Sequence, residues 1–240
     1  MCEHFVARAA DPFRLDALWP LTERLERYGI AGFGWGAAWV DRDGRLAAHR
    51  DVRAFRDDPS REAVGRTETT SVLVHLRRPS KLSTLTPADT QPFTDPAGRF
   101  SFSHNGDLAE IAAWRERYRA EDRIHGRADT EVGARWLEDQ WAGGAPVAGL
   151  LAELHACFGG RANLAVLEPD GSAHHYAGNP ENPVFSFRLG RIGVASTAIY
   201  SIDRSLFQLA ALGARERRLV RQGTTVRLTR DGSPATAAQR

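Results

Sequence analysis

The chain is poor in thiols, methionine and lysine. Its 240 residues include two cysteines, Cys2 and Cys157, too few for the disulfide framework that staples small secreted domains. Met1 is the only methionine, and Lys81 is the only lysine among 32 basic residues. We read the arginine bias as genome composition. Net charge is also scarce: 30 acidic residues reduce the balance to +2. That excludes nucleic acid as the main partner, because phosphate binding needs a concentrated basic surface. Long apolar runs are missing too. Charges interrupt every hydrophobic segment before it reaches the ~18–20 residues of a membrane span. The opening Met1-Cys2-Glu3-His4-Phe5 has neither the basic start nor the apolar stretch of a signal peptide. The expectation is a soluble, cytoplasmic protein with no membrane partner.

What remains is an ordinary globular composition, 42% hydrophobic and 26% charged. The length suits one large domain or two small ones, and no repeat, low-complexity tract or Gly/Ser linker divides the chain. Strands are expected over Cys2 to Arg8, Gly32 to Val40, Arg45 to His49, Val72 to Arg77 and Arg99 to His104. A helix is expected over Pro20 to Tyr28, and Thr84 to Gly98 reads as a loop. Apolar spacing then predicts a helix carrying Leu108, Ile111 and Tyr118, and another carrying Val132, Trp136, Leu137 and Trp141. A third runs from Val147 to Phe158. Hairpins return over Ala162 to Leu167, Ala173 to Tyr176, Val184 to Leu189 and Arg191 to Ala195. A helix near Asp203 to Leu212, strands around Arg217 to Val220 and Thr224 to Leu228, and a frayed tail after Gly232 close the chain. Hairpins at both ends with helices between them favour antiparallel sheets covered by helices over a βαβ repeat.

Cys2 is the residue that invites chemistry. If Met1 is trimmed, the chain begins with a residue holding both a thiol and a free α-amine. With a pKa of ~7.7–8.0 the amine is partly neutral near physiological pH, so it can act as the base for its own side chain. Asn105-Gly106 follows a predicted strand, precedes a predicted helix and reads as the opening of that helix. An amide and a glycine N–H placed there can donate together to a developing oxyanion.

Other groups read as structural. His174-His175 falls in a hairpin expected to be exposed, with no third ligand at metal spacing. Gly32, Gly34 and Gly36 lie within a strand and make no dinucleotide fingerprint, but imply close approach of a backbone or ligand. Arg215, Arg217, Arg218 and Arg221 read as a solvated face, and Cys157 as core.

In combination, several short motifs resemble the class II glutamine amidotransferase domain, a member of the N-terminal-nucleophile (Ntn) hydrolases. They are Met1-Cys2, Gly34-Trp35-Gly36, His75-Leu76-Arg77 with Ser80, Thr90-Gln91-Pro92-Phe93, His104-Asn105-Gly106 and Asp129-Thr130-Glu131, in the family's order. The resemblance implies an α+β fold, a four-layer αββα sandwich of two antiparallel sheets, as a single domain over residues 2–240 with Met1 removed.

It also implies that Cys2 attacks the side-chain amide of a γ-glutamyl group, with its α-amine as base. Asn105 and Gly106 would hold the oxyanion. Arg77 would grip the substrate α-carboxylate with Ser80 beside it, and Asp129 would accept from the α-ammonium. No metal or organic cofactor is implied. The partner is a small γ-glutamyl substrate, glutamine or a conjugate. Two alternatives are a glutaminase supplying ammonia to a separate synthase subunit and a catalytically silent γ-glutamyl-binding module. The chain departs from the family's usual pattern at Glu3-His4-Phe5, at Asp89 where Asn is usual, and at Arg78-Pro79. With no synthase domain in the sequence, it resembles the standalone members.

Overall fold

Alternation along the first strand sets the layering. In β1 (Glu3–Arg14), Phe5 and Ala7 join Leu21 and Leu25 of the helix α1 (Trp19–Gly29) in one apolar cluster. Val6, between them, joins a different cluster with Leu73, Ala165, Leu167 and Ala173. Successive side chains of a strand face opposite ways, so β1 must be covered on both faces. The structure, a computed structural model, describes residues 2–141, 144–198, 208 and 210–237.

The first sheet is formed by β1, β2 (Trp35–Val40), β3 (Leu46–Asp51), β4 (Glu68–Leu76), β9 (Val184–Leu189), β10 (Ile192–Thr197) and β11 (Arg215–Leu219). Their order is β11-β9-β10-β1-β4-β2-β3. The second contains β5 (Phe93–Thr94), β6 (Ser101–Asp107), β7 (Arg161–Leu167), β8 (Ala173–Tyr176), β12 (Thr225–Leu228) and β13 (Pro234–Ala237), in the order β13-β12-β8-β7-β6-β5. All neighbouring pairs are antiparallel.

The outer face of the second sheet, with Phe102, Leu164 and Val166, is covered by α3 (Ala112–Ala120), α4 (Asp129–Trp141) and α5 (Val147–Phe158). A five-residue helix, α2 (Arg61–Gly65), adds Val64 to the cluster on the first sheet's outer side. The result is the expected α+β sandwich: helices, sheet, sheet, helices. Among the described residues no helix is long and apolar enough to cross a membrane.

Several local expectations need correction. Asn105 and Gly106 do not open a helix. They lie within β6, opposite Asn163 and Ala162 of β7, and α3 begins only at Ala112. Thr84 to Gly98 is not all loop, because β5 pairs Phe93 with Phe102. The chain beyond Gly232 forms β13, paired with β12 over Pro234–Ala237. Most of the helix expected near Asp203 to Leu212 lies outside the described residues. Cys157 is exposed, one position off the Val147, Leu151, Leu154, Phe158 stripe that α5 buries.

His174 and His175 are buried instead of exposed: β12 pairs alongside both, His175 faces the first sheet, and His174 on the opposite face bonds Glu168 at 2.9 Å. His175 packs edge-on against His4, ring centroids 4.5 Å apart, and His75 lies 6.4 Å from His4. Burial drives all three toward the neutral form: His4 and His75 fall well below their ordinary pKa, and His175 to about 4. The unfolded chain, with histidines near 6.5, therefore binds protons first as pH falls. Stability is fully present above pH 6.5 and declines toward pH 4, by about 3 kcal/mol for a shift the size of His175's. Urea unfolding at pH 7 and pH 5 checks this: the midpoint should drop clearly at pH 5, and equal midpoints would contradict it.

Candidate functional site

Register brings the distant residues together. Glu3 pairs with Leu76, so Cys2, just before β1, lies beside Arg77 and Arg78, just after β4. His4, which faces the second sheet, contacts Ser103 of β6 through Nδ1 at 3.0 Å. The end of β6 is thereby placed against the start of β1. There the side-chain amide of Asn105 donates to the backbone carbonyl of Cys2 in a very short contact. Asp129, the first residue of α4, enters from the helical layer. Cys2, Arg77, Ser80, Gly106 and Asp129 line one cleft of about 940 Å³.

Cys2 is partly exposed. Its Sγ accepts from the Arg78 backbone N–H at 3.3 Å and approaches the Arg78 carbonyl at 3.6 Å. Burial pushes the thiol above its ordinary pKa, against the lowering effects of the Arg78 N–H and the Arg77 charge. The thiol therefore stays protonated at neutral pH.

Gly106 has φ +127°, and a Cβ there would fall 1.7 Å from the Arg161 carbonyl oxygen. Both the backbone conformation and the neighbouring strand exclude every other residue. Asn105 itself is fully buried. Opposite it, Asn163 accepts from the N–H groups of Gly178 and Asn179 and donates to the Asn182 carbonyl, which fixes the facing strand.

Arg77 is buried with only hydroxyl partners. Its Nη2 donates to Thr84 Oγ1 at 2.9 Å and its Nη1 to Thr90 Oγ1 at 3.5 Å. No carboxylate pairs with it among the described residues. Burial lowers its pKa, with Cys2 and Asp89 acting the other way, but a guanidinium stays charged. A buried cation facing a cleft is best compensated by an anion entering that cleft. Ser80 lines the rim, exposed; Thr84 is the hydroxyl that meets Arg77. Asp129 accepts from the Leu108 N–H through Oδ2 and from the Thr130 N–H through Oδ1, both at 2.9 Å. His104 lies 3.7 Å from Asp129 and bonds Thr130 Oγ1 at 3.2 Å. Burial holds it below its usual pKa, so it acts as a neutral spacer.

Gln91 and Asp89 are supporting residues to which the sequence assigned no role. Gln91 donates to Thr130 Oγ1 at 2.9 Å and accepts from the His104 N–H at 2.7 Å, so it joins β6 to α4. Its carbonyl passes so close to Gly36 that a Cβ there would fall 2.2 Å away, the close approach expected of that glycine. Asp89 accepts from the N–H groups of Arg127 and Ala128 and from Thr86 Oγ1. Thr86 in turn accepts through its carbonyl from Thr90 Oγ1, which Arg77 contacts. Asp89 thus ties the loop under Arg77 to the turn that presents Asp129. Asp89→Ala is expected to lower stability by about 2 kcal/mol, since it strands backbone donors. Asp89→Asn keeps a carbonyl oxygen for both N–H groups and should recover most of the loss. Denaturant melts of the two variants are the check.

No protein-family model matches the chain, and no curated protein does. Solved structures do. A glutamine phosphoribosylpyrophosphate amidotransferase from B. subtilis, complexed with ADP and GMP, superposes with a TM-score of 0.74 at 15% identity, over 100% of this chain and 49% of its own. The allosteric regulatory enzyme of purine biosynthesis gives 0.71 at 15% identity, again over 100% and 49%. A glutamine aminotransferase class-II domain protein from Silicibacter pomeroyi gives 0.63 at 16% identity, over 98% of both chains. The chain thus spans about half the length of the first two and nearly all of the third. The chain therefore shares the fold of these amidotransferase structures, a sandwich of two antiparallel sheets between helical layers.

Proposed function

We propose that residues 2–240 form one domain that hydrolyses a γ-glutamyl amide through a Cys2 acyl-thioester. The observation that carries this reading is the convergence of Cys2, Arg77, Gly106 and Asp129 on one cleft, with Asn105 against Cys2. Removal of Met1 frees the α-amine. As Sγ adds to the amide carbon, the thiol proton passes to that amine, and the carbonyl oxygen becomes an oxyanion. The Asn105 amide and the Gly106 N–H hold it. The carbon–nitrogen bond then breaks, and the ammonium returns its proton to the leaving nitrogen. Water next adds to the thioester, the amine takes one of its protons, and glutamate departs with the thiol restored.

Recognition falls to Arg77 and Asp129. The buried guanidinium takes the α-carboxylate, with Ser80 and Thr84 at its edge. Asp129 takes the α-ammonium. The two opposite charges fix an amino-acid head group and leave its amide at the thiol, which supplies the orientation on which such catalysis depends. No metal or organic cofactor enters this scheme.

The first test has two parts. Intact mass of the purified protein should show a chain one methionyl residue lighter than translated. Incubation with glutamine and a panel of γ-glutamyl amides should release glutamate from at least one. Retained Met1, or no glutamate from any member, would overturn the reading. The two longer neighbours raise a second reading, in which the domain supplies ammonia to a separate synthase subunit. A co-purifying partner that raises glutaminase activity would support it.

A further inference from the structure

The cleft carries more positive charge than a glutamine-sized substrate can use. Six cationic side chains line it: Arg77, Arg78, Lys81, Arg115, Arg127 and Arg161. Four carboxylates do so as well, and each is already engaged. Asp89 is held by two backbone N–H groups, Asp129 by two others, and Asp107 and Glu181 face Arg161. Arg115 donates to the Ala128 carbonyl at 3.2 Å. The side chains of Arg78, Lys81 and Arg127 have no hydrogen bond or ion pair among the described residues. All three are exposed to the cleft. They come from two segments, the stretch after β4 and the turn before α4, so they cannot be one solvated helix face.

Glutamine brings one carboxylate and one ammonium. On the reading above, Arg77 and Asp129 match them, and the three remaining cations stay unmatched. The volume agrees with this imbalance, since about 940 Å³ is at the upper end of pockets that hold drug-sized ligands. We propose, building on the γ-glutamyl reading, that the substrate is a γ-glutamyl conjugate whose amine portion carries an anionic group, a carboxylate or a phosphate. Lys81 and Arg127 select it. Unpaired cations lining a concave site attract such a group at long range and hold it by charge-assisted hydrogen bonds.

The test compares substrates that differ only in that charge. γ-Glutamyl-alanine is set against γ-glutamyl-alaninamide, and the γ-glutamyl amide of O-phosphoethanolamine against that of ethanolamine. The anionic member of at least one pair should have a kcat/KM about tenfold higher, the scale of one such contact, and the advantage should shrink with added salt. Whichever pair shows it identifies the anion. Arg127→Gln combined with Lys81→Gln should collapse that ratio toward one. Binding to Cys2→Ser, measured by calorimetry, reads the same preference without turnover. Equal kcat/KM within both pairs overturns the inference and leaves γ-glutamyl hydrolysis standing. If nothing turns over, tighter binding of an anionic member supports the inference while the hydrolytic reading falls, and equal binding removes both.

Discussion

Cys2→Ala is expected to abolish hydrolysis while the protein stays folded. Cys2 is partly exposed, and among the described residues its thiol hydrogen-bonds only to the Arg78 backbone, so its loss removes one small side chain and strands no buried charge. Stability should change by less than about 1 kcal/mol, the usual scale for such sites. The rate should fall by at least about 10⁴-fold, because loss of a covalent nucleophile leaves only oxyanion stabilisation and binding to act on water. Cys2→Ser should be nearly as inactive, since a hydroxyl holds its proton far more tightly than a thiol. Burial already raises the thiol above its ordinary range, and in the proposed scheme the α-amine takes its proton during attack. On that scheme the kcat/KM of the unmodified protein should rise with pH through about 7–8, where α-amines lose their proton. Glutamate release is the measurement, with circular dichroism confirming the fold. Activity surviving in Cys2→Ala would remove the nucleophile from the scheme.

The residues of this site were legible in the sequence, but the backbone that delivers them was less so. Cys2, Arg77, Asn105, Gly106 and Asp129 could be picked out because each belongs to a short motif in the family's order. The conformation of Asn105-Gly106 could not. Locally the pair reads as a turn or helix start. Its strand form depends on Asn163 and Ala162, almost sixty residues away, and on a positive φ that only glycine tolerates there. The span of α5, Val147 to Phe158, was readable because helical periodicity is local, although Cys157, expected in the core, lies off its buried stripe. The burial of His174 and His175 was not, since it needs β12 beside them and, for His175, the other sheet. Thr84 escaped notice, and Asp89, noted only as a departure from the usual Asn, was given no role, for a similar reason. Each acts through hydroxyl or backbone contacts inside a stretch whose Thr-Pro-Asp composition says only loop.

A second set of variants separates chemistry from recognition. Asn105→Ala removes a donor that, in the proposed scheme, meets charge only as the oxyanion forms. The loss should fall on kcat by about 10²–10³-fold, with KM little changed. Its burial calls for a structural control, because alanine leaves a small polar gap beside the Cys2 carbonyl. Asn105→Asp fills the gap but offers no donor at neutral pH, so it should be as slow as alanine. Arg77→Ala acts differently. In the same scheme the α-carboxylate carries its charge before, during and after reaction, so the guanidinium would stabilise bound substrate and transition state alike. KM should rise by about 10–100-fold, the scale of a charge-assisted contact, with a smaller drop in kcat from a less well held amide. Arg77→Lys keeps the charge but cannot reproduce the planar fork that reaches Thr84 and Thr90 while facing a carboxylate. It should recover only part of the loss. Steady-state kinetics on the preferred γ-glutamyl amide decides between these roles. If Asn105→Ala shifts KM alone, the oxyanion is held elsewhere. If Arg77→Ala leaves KM untouched, the carboxylate binds elsewhere in the cleft.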